Sequence, residues 1–305
     1  MDWITGIQNA VDYVESHLTD TIDYEKVAAQ SYSSSYHFQR VFGILCGFTL
    51  GRYIRNRRLT LAGAELAAGN AKVIDVALKY GYDSPDSFAK AFQKFHGVLP
   101  SRARDEGVQL RSFPRLVLTI SLKGGTTMDY RIEEKPEMIL TGYKRRFSGV
   151  PYGPERDRQE EQFFISTRAG QWLLRGAESA AGDASTDLCM ITNVDDEGYD
   201  FYYAAELDQW TREHLYDPSV TGFELMHEFG FETVTVPRQT YAIFRTERQF
   251  SPLNEYLDIR RRIAAEWLPA TGWQLAQGPE IAVYYWYSGE ARDRRFIEIW
   301  LPIEK

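Results

Sequence analysis

The pattern of apolar and polar positions repeats within the first hundred residues. The segments that start at Val27 and Val76 both begin Val-Ala. At a constant offset of fifty they then share Tyr32/Tyr82, Ser34/Ser84, Phe38/Phe88, Phe42/Phe92 and Gly47/Gly97. In each copy a short helical pattern, over residues 25–30 or 73–79, is followed by a turn and by a longer amphipathic pattern. The repeat predicts two helix-turn-helix units.

The second helix of each copy has recognisable start and stop signals. Ser34 and Ser84 are predicted N-caps, because a serine oxygen can accept hydrogen bonds from the free N–H groups of a first turn. Gly47 and Gly97 are predicted to end the helices. The predicted buried stripes, at i, i+3, i+4, i+7 spacing, are Phe38, Val41, Phe42, Leu45 and Phe88, Ala91, Phe92, Phe95. Paired helices also occur in plain helical bundles, but the duplication favours the helix-turn-helix interpretation.

The faces opposite these stripes carry side chains that can contact bases or phosphates. The predicted DNA-binding residues are Ser35, Tyr36, Gln39, Arg40, Asp86, Ser87, Lys90 and Lys94. Residues 50–70 are predicted to form a connecting helix that ends at Gly69-Asn70. Arg55 and Arg58 belong to an arginine cluster on this helix and are further candidates for phosphate contacts. A rigid connection would place the two recognition helices about 34 Å apart, in successive major grooves.

After Arg104 the pattern changes to the alternation that is typical of strands. Leu116, Leu118, Ile120 and Leu122 are predicted to share one side of a strand. Strands are then predicted over residues 130–147, 187–194 and 199–207, with a helix at about 157–175. The same order returns as strands over 231–245, 281–287 and 295–301, with a helix over 252–271. Two tandem βαββ units predict an α+β domain with helices on one side of an antiparallel sheet.

The charged side chains are distributed unevenly between the two parts of the chain. The 305 residues carry a net charge of −8. Residues 1–107 hold twelve basic and twelve acidic side chains, so the excess acid belongs to residues 108–305. The neutral first part, with its clustered arginines, remains compatible with DNA binding. We therefore predict a double helix-turn-helix domain over 1–107, a linker over 108–127 and an α+β domain over 128–305.

Several classes of protein are disfavoured by the sequence. No stretch approaches the ~18 apolar residues of a membrane span, and the first residues lack a secretory signal pattern, so we expect a cytoplasmic protein. Cys46 and Cys189 are expected to be buried small hydrophobic residues. The five histidines lack metal-ligand spacing, and HExxH, P-loop and GxSxG motifs are absent. We predict no metal site, no cofactor and no catalytic residues.

The first part resembles the AraC/XylS family of transcription factors over roughly residues 5–106. The most specific stretch is ALKYGYDSPDSFAKAFQKFHGVLPSRAR, from Ala77 to Arg104. The helix SSSYHFQRVF resembles family recognition helices in which residues at the places of Tyr36, Gln39 and Arg40 contact the groove. Gln93 departs from the usual basic residue and Ala103 from the usual aromatic one. Asp86 would repel phosphate unless it accepts a hydrogen bond from a cytosine N4, so we expect the second unit to contribute less affinity.

The second part resembles the GyrI-like effector-binding domain, which is attached to Rob-type members of the same family. The segments KGGTTMDYRIEEKPEMILTGY and RFIEIWLPIEK carry this resemblance, which implies that Glu298, in the last strand, is the ligand-binding acid. Alternation places Phe296, Glu298 and Trp300 on one face of that strand. A carboxylate between two rings suits a cationic or hydrogen-bonding ligand, whereas a solvent-open face would make it an ordinary glutamate. Further candidates for the lining are Tyr284, Trp286, Tyr143, Trp172, Tyr203 and Tyr241.

These features predict a DNA-binding transcription regulator controlled by a small amphipathic or cationic ligand. Its expected partners are double-stranded promoter DNA, a small-molecule effector and RNA polymerase, without a membrane. Two alternatives stay open. One is a constitutive activator whose second domain contacts RNA polymerase or another protein. The other is a hydrolase of reactive electrophiles, as is implied by the linkage of some GyrI-like proteins to that chemistry.

Overall fold

The chain divides into two compact units. One comprises residues 1–42 and 48–123, and the other comprises residues 43–47 and 124–305. The computed structural model describes residues 3–69, 71–117, 127–177, 184–207, 219, 228–287 and 289–305. No helix within these ranges is long and apolar enough to cross a membrane.

The first unit is helical and contains both predicted helix-turn-helix pairs. Its helices are α1 (Trp3–Ser16), α2 (Tyr24–Ala29), α3 (Ser35–Cys46, of which residues 43–46 are grouped with the other unit), α4 (Leu50–Ala67), α5 (Val73–Lys79) and α6 (Pro85–His96), followed by a 3-10 turn (Pro100–Arg102). The pairs are α2–α3 and α5–α6, and α4 connects them. We call this the helical unit.

Local capping explains where these helices begin and end. The Ser34 hydroxyl accepts from the N–H of His37, and the Ser84 hydroxyl accepts from the N–H of Ser87, so both predicted caps are present. Gly97 closes α6 in the left-handed region, at φ 85°. The connecting helix α4 ends at Ala67, two residues before the predicted stop at Gly69, and Asn70 lies outside the described residues.

The predicted apolar stripes are mostly, but not entirely, buried. Phe88 and Phe92 are fully enclosed, in a cluster with Leu59, Leu66 and Val76 from α4 and α5. Leu45 was predicted to be buried and is instead 37% exposed, because it lies in the last turn of α3, beyond the enclosed part of that helix. Ala91 and Phe95 are half-buried.

A close approach of α4 to α6 depends on the absence of a side chain at Gly63. A Cβ there would lie 2.7 Å from Cε1 of His96, which is buried and bonded through Nε2 to the carbonyl of Leu59 at 2.9 Å. We therefore expect Gly63→Ala to lower the free energy of unfolding of the helical unit by about 1–3 kcal/mol, through overpacking. Urea unfolding followed by circular dichroism measures this loss. Ala64→Ser, on the exposed side of the same helix, is the control, and equal effects would contradict the packing argument.

The chain that follows the last helical turn packs back onto the helical unit. The Phe113 ring lies 5.5 Å from that of Phe48 and 6.1 Å from that of Tyr53. Arg57 donates to the Phe113 carbonyl at 2.7 Å, and the N–H of Phe113 donates to the hydroxyl of Thr60 at 2.9 Å. Residues 108–117, the first part of the predicted linker, thus contribute to this unit. Of the strand predicted here, Leu116 is not in a strand, and Leu118, Ile120 and Leu122 lie outside the described residues.

The second unit, which we call the sheet unit, is built on antiparallel strands. The strands are β1 (Tyr130–Lys135), β2 (Met138–Ser148), β3 (Ala184–Thr192), β4 (Gly198–Glu206), β5 (Glu232–Val236), β6 (Gln239–Arg245), β7 (Gln274–Leu275), β8 (Glu280–Tyr287) and β9 (Phe296–Glu304). The helices are α7 (Pro154–Ser166), α8 (Arg168–Ala177), α9 (Leu253–Arg262) and α10 (Leu268–Thr271), and a π-helical turn (Ile263–Trp267) joins the last two. A 3-10 turn (Gly289–Arg294) precedes β9.

The sheet order is β1-β6-β9-β8-β3-β4-β2-β5, and the short strand β7 pairs with β9. The predicted tandem repeat is visible in this order. β2, β3 and β4 form one half and β6, β8 and β9 form the other, and β3 and β8 pair where the halves meet. The α+β architecture is therefore confirmed. β1 and β5 are additional strands at the two edges.

Two predicted strands are each broken in two by a proline. The segment over 130–147 becomes β1 and β2, separated at Pro136, and the segment over 231–245 becomes β5 and β6, separated at Pro237. Proline has no N–H for the ladder, so the strand ends there. The helix predicted at about 157–175 is also two helices, which meet at Thr167, where the backbone has φ −110°.

Side chains alternate between two faces of the sheet. One face, which we call the helix face, packs against the described helices: Phe147 contacts Phe163 of α7, and Tyr284 contacts Tyr256 of α9. The other face, which we call the Glu298 face, carries a buried apolar cluster. Its members include Leu140, Met190, Tyr241, Ile243, Val283 and Trp300.

Candidate functional site

The second recognition helix, α6, presents a polar face above a buried aromatic stripe. Asp86, Ser87, Lys90 and Lys94 are all exposed. The Ser87 hydroxyl is engaged locally, because it donates to the carbonyl of Ser84 at 2.9 Å. Lys90 and Lys94 supply the positive charge of this face, and Asp86 lies in the first turn of α6.

The first recognition helix, α3, is less accessible. Ser35, Tyr36 and Gln39 are half-buried, and the Gln39 amide donates to the Ser35 hydroxyl at 3.1 Å. Arg40 was predicted to contact DNA, yet it is only 5% exposed. Its guanidinium is not available to a base or phosphate in this conformation. Burial also lowers the pKa of the neighbouring His37 to about 4.

The arginine cluster on α4 divides into structural and exposed members. Arg57 pairs with Glu15 at 2.8 Å. Arg58, a predicted DNA contact, instead donates to the carbonyls of Leu18 at 2.8 Å and Asp20 at 2.6 Å, and burial lowers its pKa. Its guanidinium holds the chain after α1 against α4, whereas the side chain of Arg55 is exposed.

Glu298 is buried near the middle of the sheet, on the face predicted from alternation. It is 7% exposed, so the solvent-open alternative is wrong. Arg131 approaches both carboxylate oxygens, at 3.0 and 3.1 Å, and the indole N–H of Trp300 donates at 3.0 Å. The hydrogen bond with Glu298 raises the pKa of Arg131. Every donor to this carboxylate that we observe thus comes from β1 or from β9 itself.

Two aromatic residues complete the surroundings of Glu298. Phe296 stacks on Tyr285 with 4.2 Å between ring centroids. Tyr241 is fully buried, with its ring 5.9 Å from that of Trp300. Its hydroxyl has no hydrogen-bond partner among the described residues, and burial raises its pKa. An unpartnered buried hydroxyl is costly, so a ligand that supplied a partner would be favoured here.

The other predicted lining residues do not join this group. Tyr143, Tyr203, Tyr284 and Trp286 lie on the helix face, on the opposite side of the sheet from Glu298. Trp172, on α8, is 71% exposed. The structure therefore separates the predicted lining into two groups, of which only Phe296, Trp300 and Tyr241 accompany Glu298.

Asp187, which sequence reasoning missed, organises the group on the helix face. It accepts hydrogen bonds from Arg175 at 2.6 Å, from the Tyr203 hydroxyl at 2.5 Å and from the Trp286 indole at 2.6 Å. Burial, together with the Asp187 charge, raises the pKa of Tyr203. Tyr203 and Trp286, which were predicted to contact a ligand, thus donate their hydrogen bonds to Asp187 instead.

A second polar cluster lies between the helix face and α7 and α9. Arg260 pairs with Glu280 at 2.5 Å, and both are buried. They line a small space together with Arg156 and Cys189. Cys189 is buried as predicted, and burial raises the pKa of its thiol. Within the described ranges, no group of three or more His, Cys, Asp or Glu side chains could hold a metal ion.

Two protein families match separate parts of the chain. A helix-turn-helix domain family matches residues 27–106, and the family described as integron-associated effector binding protein matches residues 189–303. The HTH-type transcriptional activator AarP of Providencia stuartii is 42% identical over 98 residues, which cover 32% of this chain and 73% of AarP. This chain belongs to the AraC/XylS family. It is a DNA-binding transcription regulator with an effector-binding domain.

Two further AraC/XylS relatives match a similar length of the chain. The multiple antibiotic resistance protein MarA of Escherichia coli is 31% identical over 103 residues, which cover 34% of this chain and 81% of MarA. The right origin-binding protein of Escherichia coli is 34% identical over 104 residues, which cover 34% of this chain and 36% of that protein. The matched regions thus account for about a third of the present chain.

Proposed function

We propose that this AraC/XylS protein binds one asymmetric promoter site and that a small ligand at Glu298 controls its activity. The exposed polar face of α6, with Lys90 and Lys94 above a buried phenylalanine stripe, is the observation that carries the DNA-binding part. Arg55 on α4 adds a phosphate contact. Two recognition helices in one chain can occupy successive major grooves without a second subunit. The protein works in the cytoplasm together with RNA polymerase and catalyses no reaction.

The ligand part of the proposal is supported by the surroundings of Glu298. A buried carboxylate beside the Trp300 ring can recognise an amphipathic cation through charge and cation–π attraction. The unpartnered Tyr241 hydroxyl offers a hydrogen bond within the same group. Ligand binding controls transcription only if the ligand has different affinities for two states of the protein.

The test of the DNA-binding part is selection of genomic fragments by the purified full chain, repeated with Arg55→Ala. We expect one enriched motif that spans two adjacent major grooves, and weaker binding by the variant. Recovery of fragments without a shared motif would refute sequence-specific binding. Expression from the selected promoter, measured with and without a bound ligand, then separates ligand control from constitutive activation.

The lysines of α6 give a sharper prediction. Lys90→Ala and Lys94→Ala should each weaken binding to the selected site and reduce the slope of log K against log salt by about 0.9, because each removes one phosphate contact. Fluorescence anisotropy at several salt concentrations measures both effects. Lys79→Ala is the control, since Lys79 pairs with Glu65 on the helical unit. An unchanged slope in both α6 variants would show that this face does not contact the phosphate backbone of the DNA.

A further inference from the structure

The first strand of the sheet unit carries a row of alternating charges on the Glu298 face. Arg131, Glu133 and Lys135 lie at every second position of β1. They pair across to Ile243, Tyr241 and Gln239 of β6. Alternation therefore places all three charges on the side that holds Glu298 and Trp300.

Arg131 occupies the position at which a cationic ligand would meet Glu298. Its side chain, which is about half exposed, extends across β6 and contacts both oxygens of the nearly buried carboxylate. With the additional bond from Trp300, the carboxylate has three donor contacts, and Arg131 supplies the positive charge that pairs with it. A ligand cation therefore finds no free charge at Glu298 while Arg131 is in place.

Lys135 occupies the second recognition position. Its ammonium lies 4.5 Å from the centroid of the Trp300 ring, within the range of a cation–π contact. Lys135 also pairs with Glu133 at 2.6 Å, which holds the ammonium near the ring. The carboxylate and the ring that could bind a cation are thus each occupied by a cation from β1.

We propose that β1 is an autoinhibitory strand, in which Arg131 and Lys135 imitate a cationic ligand and must be displaced before one binds. The proposal rests on the ligand site proposed above and names how that site is regulated. The effector is accordingly an amphipathic cation that competes with side chains of the protein itself.

The structure provides a way for Arg131 to leave. Its Nε already donates to Glu133 at 3.1 Å, so the guanidinium keeps a carboxylate partner when it turns away from Glu298. β1 is an edge strand and pairs only with β6 among the described strands. It is also the first strand in sequence among the described residues.

The experiment uses the full chain and two probes of matched shape, phenyltrimethylammonium and neutral tert-butylbenzene. Arg131→Gln removes the resident charge, and we expect it to raise affinity for the cation about ten-fold, with little change for the neutral probe. Lys135→Gln should act in the same direction. Arg238→Gln is the control, because Arg238 pairs with Glu134 of the same strand and is well exposed. Titration calorimetry measures all four proteins.

The calorimetric results either support or overturn autoinhibition by β1. A gain for the cation alone in both β1 variants, absent from Arg238→Gln, supports autoinhibition. Unchanged or weaker cation binding in the β1 variants overturns it, and so does an equal gain for both probes, which would mean that the variants merely open space. Adding Glu298→Gln to Arg131→Gln should abolish the gain. DNA binding by the ligand-free wild-type protein is measured in parallel. Its absence would refute the proposed function, whereas its presence leaves the probe results to decide whether β1 is autoinhibitory.

Discussion

Glu280→Ala is expected to lower the free energy of unfolding of the sheet unit by about 3–5 kcal/mol, because it leaves a buried guanidinium without its counter-ion. Arg260 and Glu280 are only 6% and 5% exposed, and their charged atoms are 2.5 Å apart. The carboxylate also accepts from the Tyr152 hydroxyl at 3.2 Å. Tyr256 accepts a hydrogen bond from the same guanidinium but cannot neutralise its charge.

A double variant separates the cost of leaving Arg260 unpaired from the net contribution of the Arg260–Glu280 pair to stability. The double variant Arg260→Met/Glu280→Leu removes both charges, and we expect it to be considerably more stable than Glu280→Ala alone. Urea unfolding followed by tryptophan fluorescence reports mainly on this unit, because six of the seven tryptophans, all except Trp3, lie in its part of the sequence. Glu134→Ala breaks an exposed pair with Arg238, whose charges stay hydrated, and should cost far less than Glu280→Ala. Similar losses for Glu134→Ala and Glu280→Ala would contradict the burial argument.

Sequence patterns predicted the features that arise within single elements. The serine caps at Ser34 and Ser84 depend on groups within one helical turn. The stripe of Phe88 and Phe92 packs against α4 and α5, but its helical spacing can be recognised within α6 alone. The same holds for Phe296, Glu298 and Trp300, which share a face because alternation within one strand requires it.

These patterns could not predict features that depend on partners distant in the sequence. The roles of Arg57 and Arg58 follow from Glu15 and from carbonyls after α1, about forty positions earlier. Glu298 and Arg131 are separated by 167 positions. Nothing in the local sequence distinguishes an arginine that binds a phosphate from one that binds a carboxylate within the protein.

The division of the predicted ligand lining has the same origin. Tyr284 and Trp286 lie on one face of β8, as alternation within a strand requires. Which face of β8 matches which face of β9 is set by the register between them, where Val283 stands opposite Glu298. By contrast, the strand breaks at Pro136 and Pro237 were signalled in the sequence, since proline commonly ends a strand.

Substitution of Asp187 is also expected to lower the stability of the sheet unit strongly. The result distinguishes a structural role for Tyr203 and Trp286 from the predicted ligand contact. Asp187→Ala leaves the buried Tyr203 hydroxyl and the Trp286 indole without an acceptor and Arg175 without its counter-ion. We expect a loss of about 2–4 kcal/mol in the free energy of unfolding of the sheet unit. Tyr203→Phe, which removes one partner only, should cost about 1 kcal/mol. Ser166→Ala, which removes an exposed hydrogen bond with Arg145 at 3.2 Å, is the control for unfolding.

Ligand affinity completes the argument, because stability alone does not locate the ligand. Tyr203 and Trp286 lie across the sheet from Glu298, so Tyr203→Phe and Trp286→Phe should leave the affinity of Arg131→Gln protein for phenyltrimethylammonium unchanged. Trp300→Leu in the same background should weaken that affinity several-fold, since it removes the ring beside the acid. If Tyr203→Phe weakened cation binding as much as Trp300→Leu did, the ligand would have to reach the helix face, and the assignment of the site to the Glu298 face would be wrong.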